Sequence, residues 1–125
     1  MKNRNKLNFK NLSIRFLAIL SAILIFTFFD WIVHNSTTFL TVPREYFTNK
    51  IIYGTIWAFL AFLIFRKKSI QMQAVLITII TVALLQIRYF LYGYSWLFQI
   101  IVIPMHLIFL YLALLISLKL FSRIK

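Results

Sequence analysis

Two side chains that can exchange protons stand one helical turn apart in the first third of the chain. Asp30 and His34 are four residues apart, and Thr27 falls on the same face of a helix. A carboxylate and an imidazole at this spacing can bind a common ligand or act as an acid–base pair. They can also form an ordinary hydrogen-bonded pair at the edge of a membrane helix, and the spacing alone leaves both interpretations open.

An arginine further along the chain is the natural counter-charge for that aspartate. Arg88 shares one face of a helix with a stripe of polar residues, namely Gln71, Thr78, Thr81 and Tyr92. Asp30 is the only acid inside an apolar segment, and ionised side chains in hydrocarbon usually face a partner. We therefore predict an Asp30–Arg88 ion pair. The alternative is that Arg88 extends outward to lipid headgroups.

A second histidine lies on another polar face. Gln99, His106 and Ser117 share that face, and Pro104 predicts a kink because proline removes a backbone N–H. Such a histidine can serve a gate or a proton relay, but more often it is neutral and hydrogen-bonded to a neighbouring helix. Counting from Trp96 places His106 about 15 Å along its helix, one or two turns deeper than the Asp30–His34 pair.

Two histidines and one carboxylate are a known ligand set for zinc or iron. The unequal depths and the lack of any metal-binding motif argue against such a site, so we predict no metal and no cofactor. We predict instead a ligand-binding polar cluster in the outer half of the protein. Its members are Asp30, His34, Gln86, Arg88, Tyr92, Gln99 and His106.

The elements that position these residues are four apolar segments, each near the roughly 20 residues that a membrane-spanning helix needs. They cover about 12–33, 43–65, 70–92 and 96–118. The connections at 66–69 and 93–95 are short, which makes chain neighbours antiparallel. Residues 1–125 are predicted to form one all-α domain, a four-helix transmembrane bundle of up-down topology. Gly54, Ala58 and Ala61 form a small-residue face suited to close helix contact.

Lysine and arginine predict the orientation, because they accumulate in cytoplasmic loops. Eleven of the fourteen fall on one side: Lys2, Arg4, Lys6, Lys10, Arg15, Arg66, Lys67, Lys68, Lys119, Arg123 and Lys125. Both termini are therefore predicted to be cytoplasmic, in the cell membrane. Most tyrosines and all three tryptophans fall in the outer half. The three exceptions are Arg44, Lys50 and Arg88. Arg44, Glu45 and Lys50 stand at helical spacing and are expected to make solvated surface contacts.

Composition limits the classes of function. The chain has 125 residues, 62% of them hydrophobic, with a mean hydropathy of +0.90. Its net charge of +12 lies in short runs between apolar segments, which favours anionic lipids at the cytoplasmic rim over nucleic acid. No cysteine is present, and two acids and two glycines leave little for paired-acid catalysis or for broken-helix transporters.

The predicted function is therefore that of a binding or accessory protein, and an enzyme is not favoured. The polar cluster would engage a lipid headgroup or a partner membrane protein, which includes a second copy of the chain. One alternative is a transporter of protons or a small solute, against which the apolar stretch 107–116 counts. The other is an intramembrane lipid-modifying enzyme, with Asp30 and His34 as the acid–base pair.

Overall fold

The computed structural model describes residues 8–124 of the chain. Four of the basic residues used in the orientation prediction, Lys2, Arg4, Lys6 and Lys125, lie outside the described residues.

Four α-helices make up almost all of the described chain. They are α1 (Phe9–His34), α2 (Arg44–Phe65), α3 (Ile70–Leu91) and α4 (Trp96–Ser122), and a single 3-10 turn, Thr38–Leu40, interrupts the α1–α2 connection. Each helix is long and apolar enough to cross a membrane. The protein is thus an all-helical, multi-pass membrane protein.

Local signals set the ends of the helices. The side chains of Asn8, Ser69 and Ser95 each accept a hydrogen bond from a backbone N–H in the first turn of α1, α3 and α4. Pro43 directly precedes α2, where its fixed φ suits a helix start. Gly93 follows α3 with φ +76°, a conformation that other residues rarely adopt, and it lets the chain turn sharply into α4.

The helices form a ring in which each packs on its chain neighbours and α4 packs on α1. The distal end of this bundle holds the α1–α2 and α3–α4 connections; the proximal end holds the α2–α3 loop, the start of α1 and the end of α4. Gly54 lies where α2 packs on α1, and a Cβ at this position would make an ordinary contact, 3.7 Å from the side chain of Ile23. Ala58 and Ala61 are buried as well, as expected for a small-residue packing face.

The two halves of the bundle differ in what fills them. In the proximal half, the axis is filled by fully buried aliphatic side chains, which include Ile19, Ile23, Ile77, Leu110 and Leu114. The distal half holds buried charged, imidazole and phenol groups instead. The 3-10 turn covers this polar half, because Leu40 is buried beside Phe98 and the rings of Phe39 and Phe98 lie 6.3 Å apart.

Candidate functional site

Asp30 is the centre of a buried network that draws side chains from α1, α2 and α4. Its carboxylate contacts the ammonium of Lys50 directly. His106 Nε2 lies 2.7 Å from Asp30 Oδ1, and His34 Nε2 lies 3.3 Å from the same oxygen. All four side chains are at most 1% exposed. Burial this complete is tolerated for a carboxylate only when opposite charge and hydrogen-bond donors surround it.

The predicted Asp30–Arg88 ion pair is wrong. The counter-charge of Asp30 is Lys50, which lies six residues after the start of α2 at Arg44. Lys50 is 1% exposed rather than solvated. Its stem crosses aromatic rings, with Nζ 4.4 Å from the centroid of Tyr46 and 4.7 Å from that of Phe26. Placement near a helix start suggested exposure, but Lys50 lies on the same face of α2 as the buried Tyr46, while Arg44 and Glu45 on other faces are exposed.

Counting along the helices placed His106 one or two turns deeper than the Asp30–His34 pair. The structure shows instead that His106 contacts Asp30. The count assumed that α1 ends at the level where α4 begins. In the structure His34, the last residue of α1, stacks on Phe98, with 5.8 Å between ring centroids. The first two residues of α4 therefore extend beyond the level of His34, an offset of about 3 Å. The remaining difference in depth is bridged by the side chains. They tilt toward the N-terminus of their own helix, so Asp30 on α1 and His106 on the antiparallel α4 lean toward each other and come within 2.7 Å.

The partners of the two imidazoles fix where their hydrogens lie. His34 Nδ1 is 2.5 Å from the carbonyl oxygen of Leu40, and a carbonyl only accepts, so Nδ1 carries a hydrogen. His106 Nε2 donates to the Asp30 carboxylate by the same logic. This leaves His106 Nδ1 as a buried acceptor with no hydrogen-bond partner in the part of the chain that the structure describes.

Two buried tyrosines extend the network from His34 toward the start of α2. The Tyr89 hydroxyl lies 3.2 Å from His34 Nε2 and also shares a hydrogen bond with the Tyr46 hydroxyl. Tyr89 is 1% exposed and Tyr46 is 9% exposed. The connection therefore runs from Asp30 through His34 and Tyr89 to Tyr46, without an unsatisfied hydroxyl along it.

Asp30, His34 and His106 bring three potential metal ligands to within 4.8 Å of one another. The donor types fit zinc or iron. However, the Lys50 ammonium contacts the carboxylate and lies 3.4 Å from His106 Nε2, so a positive charge already occupies the centre of the donor set. A metal ion would have to displace Lys50 into a fully buried core, which makes this set a poor metal site.

Arg88 lies apart from the buried network, beside a cavity at the distal end. The cavity has a volume of about 320 Å³ and opens between α2 and α3. Its lining residues are Pro43, Glu45, Tyr46, Asn49, Arg88, Tyr89, Tyr92 and Tyr94. The Arg88 guanidinium lies over the Tyr92 ring at 5.4 Å and 3.4 Å from its hydroxyl, a marginal hydrogen bond. Within residues 8–124 it forms no ion pair with a carboxylate.

A smaller cavity continues from Arg88 along the α2–α3 interface. Its volume is about 140 Å³, and apart from Arg88 and Thr81 its lining is aromatic or apolar: Tyr53, Gly54, Trp57, Leu84 and Leu85. Tyr53 and Trp57 are each about half exposed, at 52% and 44%, so the groove lies at the lateral surface of the bundle. Arg88 is thus the residue that the distal cavity and the lateral groove share.

The two glutamines of the predicted cluster, Gln86 and Gln99, belong neither to the buried network nor to the lining of the two cavities. Gln99 Nε2 donates to the carbonyl oxygen of Tyr94 at 3.1 Å, and Gln86 Nε2 lies 3.4 Å from Gln99 Oε1. This weak contact links α3 to α4 beside the turn at Gly93. The seven predicted site residues therefore divide into three groups: Asp30, His34 and His106 in the buried network, Arg88 and Tyr92 at the cavity, and Gln86 and Gln99 between helices.

Three residues that carry the site were absent from the predicted cluster: Lys50, Tyr46 and Tyr89. A helical count from Pro43 places Tyr46 and Lys50 four residues apart on one face of α2, which is a usable signal. Tyr89 follows Arg88 directly and so falls on a different face of α3. Which of the two would point inward depends on the rotation of α3 about its axis, and the polar stripe suggested the wrong residue.

Comparison with protein-family models, with curated proteins and with solved structures finds no match to this chain. Its own geometry is therefore the basis for any functional proposal.

Proposed function

We propose that this protein binds a membrane phospholipid between α2 and α3, with the headgroup in the distal cavity and an acyl chain in the lateral groove. The observation that supports the proposal most strongly is the environment of the Arg88 side chain. Arg88 is a half-buried cation near the distal end of a membrane helix, without a carboxylate partner in the described chain. It stands where the distal cavity, lined by two charged residues and four tyrosines, meets a mostly apolar groove.

Within residues 8–124 the Arg88 guanidinium has the Tyr92 ring and hydroxyl beside it but no carboxylate partner, so an anion could bind there. An ionised side chain at this depth is stabilised by an anion or by water, and the guanidinium is the side chain best suited to two parallel hydrogen bonds with a phosphate. Lipid phosphates lie at the depth that the end of a membrane helix reaches. A phosphate in the distal cavity would thus satisfy Arg88.

The size and shape of the two cavities favour a lipid. A volume of about 320 Å³ is at the small end of ligand-binding pockets, which suits a headgroup. The groove that adjoins it at Arg88 is small and mostly apolar, as a methylene chain requires, and two of its lining residues, Tyr53 and Trp57, are about half exposed. A partner membrane protein, the other occupant that the sequence allows, would not need a narrow groove.

The buried network supports this function by holding the inner wall of the cavity in place. Tyr46 and Tyr89 line the cavity and are tied through His34 to Asp30 and Lys50. Transport through the bundle receives no support, because aliphatic side chains fill the axis below His106. The distribution of cations further suggests that the distal end, and hence the cavity, faces the non-cytoplasmic leaflet.

Phospholipid retained through purification in mild detergent provides the test, quantified by mass spectrometry per mole of protein. Arg88→Gln is expected to reduce retention about tenfold or more, since a charge-assisted hydrogen bond contributes roughly 1.5–3 kcal/mol. Arg44→Gln is the matched control, because Arg44 is an exposed cation at the start of α2 that does not line the cavity. Equal retention by both variants would contradict the proposal.

A further inference from the structure

The distal cavity carries two opposite charges that do not neutralise each other. Glu45 and Arg88 are the only charged residues in its lining. Asp30 is the acid in every ion pair formed by the residues that the structure describes, so Glu45 and Arg88 are not paired with each other or with another charged residue. Opposite charges that face one cavity but remain apart leave room for a ligand that carries both signs.

The rest of the lining is rich in rings that attract cations. Four tyrosines, Tyr46, Tyr89, Tyr92 and Tyr94, contribute to the wall. Cations already lie over two of these rings, Lys50 Nζ at 4.4 Å from Tyr46 and the Arg88 guanidinium at 5.4 Å from Tyr92. Aromatic rings beside a carboxylate are the chemistry with which proteins recognise ammonium groups.

We propose that the cavity selects a zwitterionic phospholipid headgroup, with the phosphate at Arg88 and the ammonium at Glu45 and the tyrosine rings. This inference rests on the proposed function and names the ligand class that it leaves open. Glu45 is essential to it. A cavity built only for anionic lipids would gain from a second cation, and an acid in the lining repels a headgroup whose net charge is negative.

The two charges reach the distal cavity from different helices. Glu45 lies in the first turn of α2 and Arg88 in the last turn of α3, so the two residues face the cavity from different helices at the distal end. Phosphate and ammonium are separated by two carbons in ethanolamine and choline headgroups. Glycerol continues from the phosphate, which places the acyl chains on the side of Arg88, where the lateral groove begins.

The experiment measures lipid selectivity of the full chain in nanodiscs made from equal amounts of phosphatidylethanolamine, phosphatidylcholine, phosphatidylglycerol and phosphatidic acid with identical acyl chains. Native mass spectrometry then gives the lipids that remain bound. The wild type is expected to enrich the two zwitterionic lipids over the two anionic lipids about fivefold, the factor that roughly 1 kcal/mol of ammonium contacts provides. Enrichment of the anionic lipids, or no selectivity, would overturn the inference.

Two variants separate this inference from the proposed function. Glu45→Gln is expected to lower bound zwitterionic lipid about fivefold relative to bound anionic lipid, which abolishes the preference. Arg88→Gln is expected to lose bound phospholipid of every class, and Arg44→Gln to behave as wild type. Unchanged selectivity in Glu45→Gln overturns the inference alone; wild-type amounts of lipid in Arg88→Gln overturn the proposed function.

A soluble competitor tests whether a lipid or a free headgroup is the ligand. Glycerophosphoethanolamine, which has the same charges but no acyl chains, is expected to leave the bound lipid in place at millimolar concentration, because it cannot use the lateral groove. Displacement of the lipid at lower concentrations would show that the headgroup alone supplies the affinity and would contradict the role given to the groove.

Discussion

The distal half of the bundle contains two regions with charged side chains, and they differ in whether those side chains form ion pairs within the described chain. In the buried network, Asp30 has Lys50 as its counter-ion and two imidazoles as further partners, all at most 1% exposed. In the distal cavity, Glu45 and Arg88 lack ion-pair partners in the described chain and remain partly accessible. Charge that is paired within the protein stabilises the fold, whereas the cavity whose charges have no ion-pair partner in the described chain is where we propose that a ligand binds.

The regions are adjacent and share part of their structure. Tyr46 and Tyr89 line the cavity, and their hydroxyls are hydrogen-bonded to each other, while Tyr89 also pairs with His34, whose Nε2 lies 3.3 Å from Asp30. Substitutions in the network should therefore lower stability first and lipid binding as a consequence. Substitutions at the cavity charges should lower lipid binding alone.

Removal of Lys50 is the change expected to have the largest effect. Lys50→Met leaves the Asp30 carboxylate buried without a counter-ion, which should lower the free energy of unfolding by about 3–5 kcal/mol. Unfolding in a detergent titration followed by circular dichroism measures this difference. Arg44→Met, an exposed cation on the same helix, is the control and should change stability little. A Lys50→Met variant as stable as the control would show that the pair does not hold the core together.

Removal of the Tyr89 hydroxyl tests the connection between the regions. Tyr89→Phe leaves His34 Nε2 and the Tyr46 hydroxyl without this partner, and the cost of a buried unsatisfied polar group is about 1–3 kcal/mol. The same unfolding assay applies, with Tyr53→Phe as control because Tyr53 is 52% exposed. Equal stability of the two variants would mean that the hydroxyl connection contributes nothing to the cavity wall.

Gln86 tests whether the polar residues outside both regions contribute. Its contact with Gln99 is long, at 3.4 Å, and its own carbonyl oxygen Oε1 is buried with no hydrogen-bond partner among the residues that the structure describes. Gln86→Leu should therefore change the free energy of unfolding by less than about 1 kcal/mol and leave bound phospholipid unchanged. A loss of bound lipid in a stable Gln86→Leu variant would extend the binding region toward α4.

Arg88→Gln should have the smallest effect on stability, within about 0.5 kcal/mol of wild type, because it breaks no ion pair. Thermal unfolding in a lipid-free detergent measures this, since bound lipid would itself stabilise the native state. Addition of phospholipid should then raise the unfolding temperature of wild type but not of the variant. A marked loss of stability in lipid-free detergent would place Arg88 with the buried network.

The sequence predicts the four spanning helices well, because a bilayer requires helical backbone and runs of apolar residues of fixed length. It also singles out Asp30, His34 and His106, since polar residues inside such runs are rare. The sequence does not determine which cation pairs with Asp30. Lys50 and Arg88 are both cations near the distal end, and the rotation of α2 and α3 about their axes decides which one faces Asp30. That rotation depends on packing, such as the approach of Gly54 to Ile23 and the cover that Leu40 provides.

The relative depth of residues on different helices could not be predicted from the sequence either. The two helices that carry Asp30 and His106 extend to different heights, and the 3-10 turn at Thr38–Leu40 fills the difference. A count of residues from predicted helix ends cannot recover this offset, because the ends are set by capping and by loop packing.

A pair of double-mutant cycles tests the contrast between the two cations most directly. One cycle combines Asp30→Asn with Lys50→Met, and the other combines Asp30→Asn with Arg88→Gln; both are measured as free energies of unfolding in the same detergent. We expect a coupling energy of about 2–3 kcal/mol between Asp30 and Lys50 and a value within about 0.5 kcal/mol of zero between Asp30 and Arg88. Strong coupling of Asp30 to Arg88, with little to Lys50, would contradict the assignment of Lys50 to the fold and of Arg88 to a ligand.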